Sequence, residues 1–272
     1  MISTANVFVT FYCWWHGRLH LRGAGILLER ASRYISELRD YPLFVEGIGF
    51  VHVDFSDVSG MAWINYSLGE SGHEDGLLIC LKKLISSPKC IWEVGANGGY
   101  FAAQILKAFP DFEHLYLFEP NPSMHRMLEC VTKARSGIFL CPFALGDFNG
   151  KSMISFEPGN SSLASFRGAA SGLHVEVEVR TGDAFLSKSP DAISEVIIID
   201  VEGAENSVLI GMHDLLKTRR PIVVFEQIFF DPSTLDALMP EGYTRFTIDD
   251  KSGELIAGFH LNLGHNGIFI PN

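Results

Sequence analysis

Residues 90–108 place a short apolar run, a glycine-rich turn and an apolar helical run in direct succession. The apolar run is Cys90-Ile91-Trp92, the turn is Glu93-Val94-Gly95-Ala96-Asn97-Gly98-Gly99, and the helical run begins at Tyr100. A strand, a tight turn and a helix in this order open a βαβ unit, which requires a parallel sheet. The segment therefore predicts an α/β fold with a ligand site at the turn.

The glycine positions of this turn distinguish between cofactors. A dinucleotide site has glycine at the first, third and sixth positions, which are Gly95, Asn97 and Tyr100 here. Two of these positions lack glycine, so a nicotinamide oxidoreductase is the weaker alternative. An acidic residue followed by small residues at alternate positions, Glu93, Gly95, Asn97 and Gly99, is typical of a turn that binds S-adenosylmethionine.

Strand and helix patterns alternate after this turn. Apolar strands are expected at residues 115–118, 138–141, 196–200 and 222–225, and the β-branched run from Val196 is typical of a central parallel strand covered on both faces. This alternation predicts an α/β fold, a Rossmann-like doubly wound sheet. Further patterns predict antiparallel additions at residues 151–156 and 174–180, a helix with apolar positions from Ala204 to Leu216, and closing strands at residues 243–248 and 267–270.

The first seventy residues have a different pattern. Residues 26–38 predict one amphipathic helix, and residues 50–57 predict a half-buried strand. A glycine-bounded break at residues 69–72 precedes another helix over 75–85. We therefore expect an N-terminal α+β extension or cap over residues 1–71 and a cofactor-binding domain over residues 72–272.

Acidic residues stand at the ends of four predicted strands: Glu93, Glu119, Asp200 and Glu226. Since the carboxyl ends of parallel strands meet in one crevice, these carboxylates are expected near the ligand. Glu119 lies 24 residues after Gly95, where a carboxylate can accept hydrogen bonds from ribose hydroxyls; stabilisation of the next helix is the alternative. Glu93 either orients the amino group of the methionine portion or bonds only to amides of the turn.

Three segments accompany the turn in sequence. They are Phe118-Glu119-Pro120, then Pro142-Phe143-Ala144-Leu145-Gly146-Asp147, then Asp200-Val201-Glu202-Gly203-Ala204-Glu205 with Leu209 and Gly211. Together with the turn they resemble the FkbM family of S-adenosylmethionine-dependent methyltransferases, from about residue 72 to residue 226. The resemblance implies the class I methyltransferase fold and O-methylation of a hydroxyl on a sugar or a secondary metabolite.

The cofactor and catalytic residues are assigned on this basis. Asp200 and Glu202 are the candidate catalytic residues, because a hydroxyl acceptor needs a base or a metal to remove its proton. They share a face if the strand continues, and could hold a divalent cation, but two carboxylates make an incomplete site, so no metal ligand is assigned. The expected contacts of S-adenosylmethionine are Glu93, Gly95, Ala96, Asn97, Gly99, Glu119, Pro120, Asn121, Ala144, Leu145 and Asp200, with Ala144 and Leu145 placed beside the adenine by the resemblance.

Two positions depart from the family pattern. Glu93 stands where the family usually has Asp, and Ile198 stands where it often has Lys. The second change keeps open a catalytically inactive methyltransferase fold with a binding or regulatory role. Glu205 is expected only to stabilise the dipole of the helix that it begins.

Composition bears on partners and location. The net charge of −11 opposes nucleic acid as a partner, and five cysteines without paired spacing are typical of reduced thiols in a cytoplasmic protein. Residues 7–15 are apolar, but they are shorter than the roughly 20 residues that span a bilayer. We therefore expect no transmembrane segment and a small-molecule or glycan hydroxyl acceptor, and leave open that residues 7–15 dock on a partner or membrane. The sequence names neither the acceptor nor the oligomeric state.

Overall fold

The computed structural model describes residues 3–19, 24–69, 74–157, 159–165, 172–227 and 232–272, with the backbone alone for residues 17–19, 24, 157, 161–165, 232 and 233. Before residue 70 the described chain forms helices packed on a two-stranded antiparallel hairpin. These elements are helices α1 (Thr4–Leu19), α2 (Ala24–Ser32) and α3 (Val58–Ser67), a 3₁₀ turn at Ser36–Arg39, and strands β1 (Tyr41–Val45) and β2 (Gly49–Val53).

Two expectations for this region are corrected. The helix predicted over residues 26–38 ends at Ser32, whose hydroxyl donates to the carbonyl of Glu29 at 2.6 Å in the last turn. The strand predicted over residues 50–57 ends at Val53, because the Asp54 carboxylate accepts from the Ser56 amide at 2.7 Å and turns the chain. Helices α1 and α3 and strand β1 were not predicted.

The rest of the chain builds an eight-stranded sheet, a four-stranded sheet and the helices that cover them. The helices are α4 (Asp75–Leu84), α5 (Tyr100–Ala108), α6 (Pro122–Ala134), α7 (Gly182–Lys188), α8 (Glu205–Ile210), α9 (His213–Arg219) and α10 (Pro232–Asp236). The strands are β3 (Cys90–Val94), β4 (His114–Phe118), β5 (Ile138–Cys141), β6 (Ala144–Leu145), β7 (Gly150–Glu157), β8 (Asn160–Ser165), β9 (Leu173–Arg180), β10 (Val196–Ile199), β11 (Ile222–Glu226), β12 (Tyr243–Ile248), β13 (Leu255–Ala257) and β14 (Asn266–Pro271).

The eight-stranded sheet has the order β13-β12-β14-β11-β10-β3-β4-β5. Strands β11, β10, β3, β4 and β5 are mutually parallel, and β14 runs antiparallel to its neighbours β11 and β12. The chain winds outward from β3 in both directions, which confirms the predicted doubly wound sheet. Strand order reverses between β3 and β10, and ligands of such sheets bind at this switch point, outside the carboxyl ends of the strands.

Both faces of the sheet are covered by apolar side chains. Along β3, Ile91 packs in the core shared with α4, α5, α6 and the N-terminal elements, whereas Trp92 and Val94 pack in the core shared with α7, α8 and α9. Strand β10 is buried along its whole length. Among the residues that the structure describes, no helix combines the length and the apolar character needed to cross a bilayer.

Two further expectations change in detail. Residues 151–156 and 174–180 do pair antiparallel, but in the separate four-stranded sheet β6-β9-β7-β8. The helix expected across residues 204–216 divides into α8 and α9 at Gly211. A Cβ atom at Gly211 would lie 1.9 Å from the carbonyl oxygen of Gly146, so the close approach of two backbones requires glycine there.

Candidate active site

The glycine-rich turn lies between the ends of β10 and β4. Gly95 has a φ of +92°, and a Cβ atom there would lie 1.8 Å from the carbonyl oxygen of Asp200. On the other side, the amides of Gly95 and Ala96 donate to the Phe118 carbonyl at 2.9 and 3.1 Å. Only glycine combines this backbone conformation with such a close approach. The turn is therefore held at the switch point of the sheet.

A side chain from the N-terminal region holds the other end of the turn. Asn97 and Gly99 have φ angles of 46° and 80°, and Trp63 of α3 donates its indole N–H to the Gly98 carbonyl at 2.9 Å. Trp63 is fully buried. This contact spans 35 residues of sequence, and no local sequence pattern predicts it.

Glu119 connects the turn to the following helix. Its Oε2 accepts from the Asn97 amide at 2.8 Å and its Oε1 from the Asn121 amide at 2.7 Å. Burial raises the pKa of Glu119 to about 7, although both amide hydrogen bonds lower it. Each carboxylate oxygen has a second acceptor position, so the carboxylate retains the capacity to accept hydroxyl groups. Pro120 beside it is half-buried.

Asn121 has the predicted role of N-cap. Its Oδ1 accepts from the Ser123 amide at 3.1 Å at the start of α6, whose buried face is the predicted set of Met124, Met127, Leu128 and Val131. The amide nitrogen Nδ2 of the same side chain is buried without a hydrogen-bond partner. A donor thus remains beside Glu119.

Glu93 is buried, and its Oε2 has no hydrogen-bond partner. Burial raises its pKa well above the usual range, and the charges of Glu74, Asp200 and Glu119 add to the rise. The described residues provide no hydrogen bond from the turn amides to Glu93, contrary to one of the two roles considered for it. The pairing residue on β10 is Ile198, whose side chain is buried in the core and carries no compensating charge.

A second turn follows β10. The strand ends at Ile199, and Glu202 and Gly203 have φ angles of 51° and 100°. The strand therefore does not continue, and the condition under which Asp200 and Glu202 would share a strand face is not met. The Oε1 atom of Glu205 accepts from the amides of Val201 and Gly203, both at 3.3 Å. Glu205 therefore has a local structural contact within the turn in addition to its position at the start of α8.

The turn nevertheless brings Asp200 and Glu202 together with Glu226 at the end of β11. One carboxylate oxygen from each lies within 4.8 Å of the others. Burial raises the pKa of Asp200 to about 6, and burial together with the charges of neighbouring carboxylates raises the pKa of Glu202 to about 7 and that of Glu226 to about 8. Asp200 has an exposed side chain although protein atoms surround its carboxylate, a combination expected on a concave surface.

A fourth acidic side chain, Glu74, interacts electrostatically with Asp200. Glu74, just before α4, has its pKa raised to about 8, by burial first and then by the charge of Asp200. The sequence placed Glu226 at a strand end but assigned it no role, and a position at the carboxyl end of a parallel strand was the available signal. Ala144 and Leu145 are buried in β6, which pairs with β9.

Comparison with known proteins identifies the family. The model of the FkbM methyltransferase domain matches residues 93–243. Hexuronic acid methyltransferase AglP of Haloferax volcanii is 26% identical over 195 residues, which cover 70% of this chain and 78% of that protein. The crystal structure of methyltransferase FkbM from Methylobacillus flagellatus KT superposes with a TM-score of 0.50 at 16% identity, over 98% of this chain and 71% of that chain.

The superposition confirms the α/β fold of the class I methyltransferase type. The matched residues include both the glycine-rich turn and the Asp200–Glu205 hexapeptide, and they make up more than half of the chain. The chain therefore belongs to the FkbM methyltransferase domain family.

Proposed function

We propose that the protein transfers a methyl group from S-adenosylmethionine to a hydroxyl of a sugar or a secondary metabolite. One observation carries the proposal: the glycine-rich turn packs against the carbonyl of Asp200. A methyl donor bound at the turn would therefore lie beside the carboxylates of Asp200, Glu202 and Glu226. A sugar as acceptor draws further support from the relative named hexuronic acid methyltransferase.

The residues around the turn fit this cofactor. S-Adenosylmethionine carries a sulfonium cation and an amino group, and the unpartnered Oε2 of buried Glu93 offers the amino group an acceptor. Glu119 accepts the ribose hydroxyls beside its two amide hydrogen bonds. The remaining cofactor contacts are Gly95, Ala96, Asn97, Gly99, Pro120, Asn121, Ala144, Leu145 and Asp200.

Methyl transfer requires the protein to position the acceptor hydroxyl and to accept its proton. The hydroxyl oxygen of the acceptor attacks the methyl carbon in line with the carbon–sulfur bond, whose electrons pass to the sulfur as the bond breaks. Positioning the acceptor can supply much of the rate. The hydroxyl proton passes to the carboxylate of Asp200 or Glu202, and a raised pKa makes either group a better base near neutral pH.

A divalent cation is the alternative to a side-chain base. With Glu226, the two predicted carboxylates become three, and oxygen ligands suit Mg²⁺ or Ca²⁺. A bound cation would lower the pKa of the acceptor hydroxyl directly. The two versions differ in one measurable respect, since a chelator abolishes methylation only if the cation takes part.

The test is a screen of methyl transfer to sugars, uronic acids and hydroxylated metabolites, with and without chelator, read as S-adenosylhomocysteine formed. Asp200→Asn and Glu202→Gln are expected to lower turnover by about 10²- to 10⁴-fold for whichever residue is the base. Glu241→Gln, an exposed carboxylate, serves as the matched control and is expected to retain turnover.

Two outcomes would redirect the proposal. Binding of S-adenosylmethionine without turnover on any acceptor would favour the binding or regulatory alternative. Binding of NADH or NADPH in place of S-adenosylmethionine would favour the oxidoreductase alternative, which the missing glycines of the turn oppose.

We also propose that the N-terminal extension caps the cofactor turn. Trp63 of α3 contacts the turn directly, and the Val58 amide donates to the Gly159 carbonyl at 3.2 Å. The boundary proposed between residues 71 and 72 lies outside the described residues. A cytoplasmic location stays a prediction.

A further inference from the structure

Helix α1 is apolar on two opposite faces, and the described protein covers only one of them. The covered face packs into the core, where the Tyr12 hydroxyl donates to Asn65 of α3 at 2.5 Å. The other face follows the helical spacing of three and four residues, and its side chains are between 36% and 56% exposed. The exposed face consists of Val7, Phe8, Phe11 and Trp14, whereas the covered face consists of Ala5, Val9 and Tyr12.

The exposed face carries no charged side chain. Surface helices place charged side chains opposite their apolar stripe. Residues 4–17 contain no Asp, Glu, Lys or Arg, so no charged side chain interrupts the four exposed apolar side chains. Contiguous exposed apolar side chains of this sort mark a contact surface.

Charge indicates what this surface contacts. Residues 1–39 contain five arginines, no lysine and only two carboxylates, Glu29 and Glu37, in a chain whose net charge is −11. The segment that contains α1 is thus basic while the remainder is acidic. The described side chains of Arg30 and Arg33 are exposed. An apolar helix in a basic segment complements an anionic lipid surface.

A second copy of the chain fits the same surface less well. Four half-exposed side chains offer roughly 300–400 Å², whereas a stable interface buries about 800 Å² on each partner. A symmetric contact through α1 would also bring the two basic segments together. Area and charge therefore both favour lipid.

We propose that α1 lies on the surface of a membrane that contains anionic lipids. Val7, Phe8, Phe11 and Trp14 insert at the boundary of headgroups and acyl chains, and the exposed side chains of Arg30 and Arg33 face the anionic headgroups. The 16 residues of α1 extend about 24 Å, less than the roughly 30 Å hydrocarbon core, so the helix lies on the membrane and does not cross it. This proposal is independent of the methylation chemistry.

The test is sedimentation of the full chain with vesicles of phosphatidylcholine alone, or of phosphatidylcholine and phosphatidylglycerol in a three-to-one ratio. We expect binding to the anionic vesicles and at least tenfold weaker binding to neutral vesicles, or to anionic vesicles in roughly 0.5 M salt, since salt screens exposed charge. The double variant Phe11→Ser with Trp14→Ser is expected to bind at least tenfold more weakly. The double variant Phe148→Ser with Leu261→Ser, exposed to 44% and 46%, is the matched control and should bind as the unchanged protein does.

A second measurement uses the unchanged protein, so it tests the proposal even if the α1 variant misfolds. Anionic vesicles with brominated acyl chains should quench tryptophan emission, and because Trp63 and Trp92 are fully buried, quenching reports on α1. The proposal is overturned if the unchanged protein binds neither type of vesicle, or if the folded α1 variant binds equally well. A concentration-dependent dimer that only the α1 variant loses, without vesicle binding, would assign the face to a second copy.

Discussion

Gly95→Ala tests the contact between the glycine-rich turn and the end of β10. The added Cβ would lie 1.8 Å from the Asp200 carbonyl oxygen, and real Cβ atoms essentially never approach closer than 3.0 Å. The turn and the strand end must therefore separate by about 1.2 Å. A left-handed backbone costs a non-glycine residue about 1–2 kcal/mol, and overpacking adds about 1–3 kcal/mol. We expect the free energy of unfolding to fall by about 2–5 kcal/mol.

Gly47→Ala is the matched control for this variant. Gly47 has a φ of +80° in the turn between β1 and β2, and a Cβ there would meet nothing within 4 Å. It shares the backbone cost of about 1–2 kcal/mol without the collision. Urea unfolding of both variants measures the difference, and calorimetry should show S-adenosylmethionine affinity lost by at least tenfold in Gly95→Ala only. Equal losses of stability, with affinity retained in both variants, would refute the argument.

Two further predictions concern Trp63, which supports the glycine-rich turn, and the buried carboxyl group of Glu74. Trp63→Phe and Trp92→Phe each remove a buried indole hydrogen bond of 2.9 Å to a backbone carbonyl, so both should lower the free energy of unfolding by about 1–3 kcal/mol. Only Trp63→Phe should weaken S-adenosylmethionine binding, because of these two indoles only that of Trp63 donates to the glycine-rich turn. Equal affinities in the two variants would contradict this prediction. The pKa of Glu74, raised by burial to about 8, means that the folded protein keeps a proton that the unfolded chain releases above about pH 4.5. The free energy of unfolding of the cofactor-free protein should therefore fall as the pH rises from about 5 to 8. Glu74→Gln should make this fall shallower. A midpoint of unfolding that does not change with pH would contradict the prediction.

Local signals predicted the elements that form the site. Asn121 and Pro122 mark the start of α6, and the spacing of Met124, Met127, Leu128 and Val131 gives its buried face. The β-branched run of β10 and the acidic residues at the carboxyl ends of β3, β4, β10 and β11 follow from residue type and position. These features depend on a few neighbouring residues, so the sequence contains them directly.

Long-range contacts account for what the sequence did not predict. The contact of Trp63 with the Gly98 carbonyl joins segments 35 residues apart. The division of the helix at Gly211 depends on the approach of the Gly146 carbonyl, which no periodicity records. Helix α1 has apolar residues on both faces, so it lacks the one-sided pattern by which a surface helix is recognised.

We infer that the chain binds S-adenosylmethionine at the glycine-rich turn, with Glu119 as the acceptor of the ribose hydroxyls. The most direct measurement is calorimetric titration of the unchanged protein, Glu119→Ala and Glu113→Ala with S-adenosylmethionine. Glu113 is the matched control, because it precedes β4 at the opposite end from Glu119 and is exposed.

We expect Glu119→Ala to weaken binding by about 1–3 kcal/mol, or about 5- to 150-fold, and Glu113→Ala to bind as the unchanged protein does. Absence of binding by the unchanged protein, or equal affinity in all three, would contradict it.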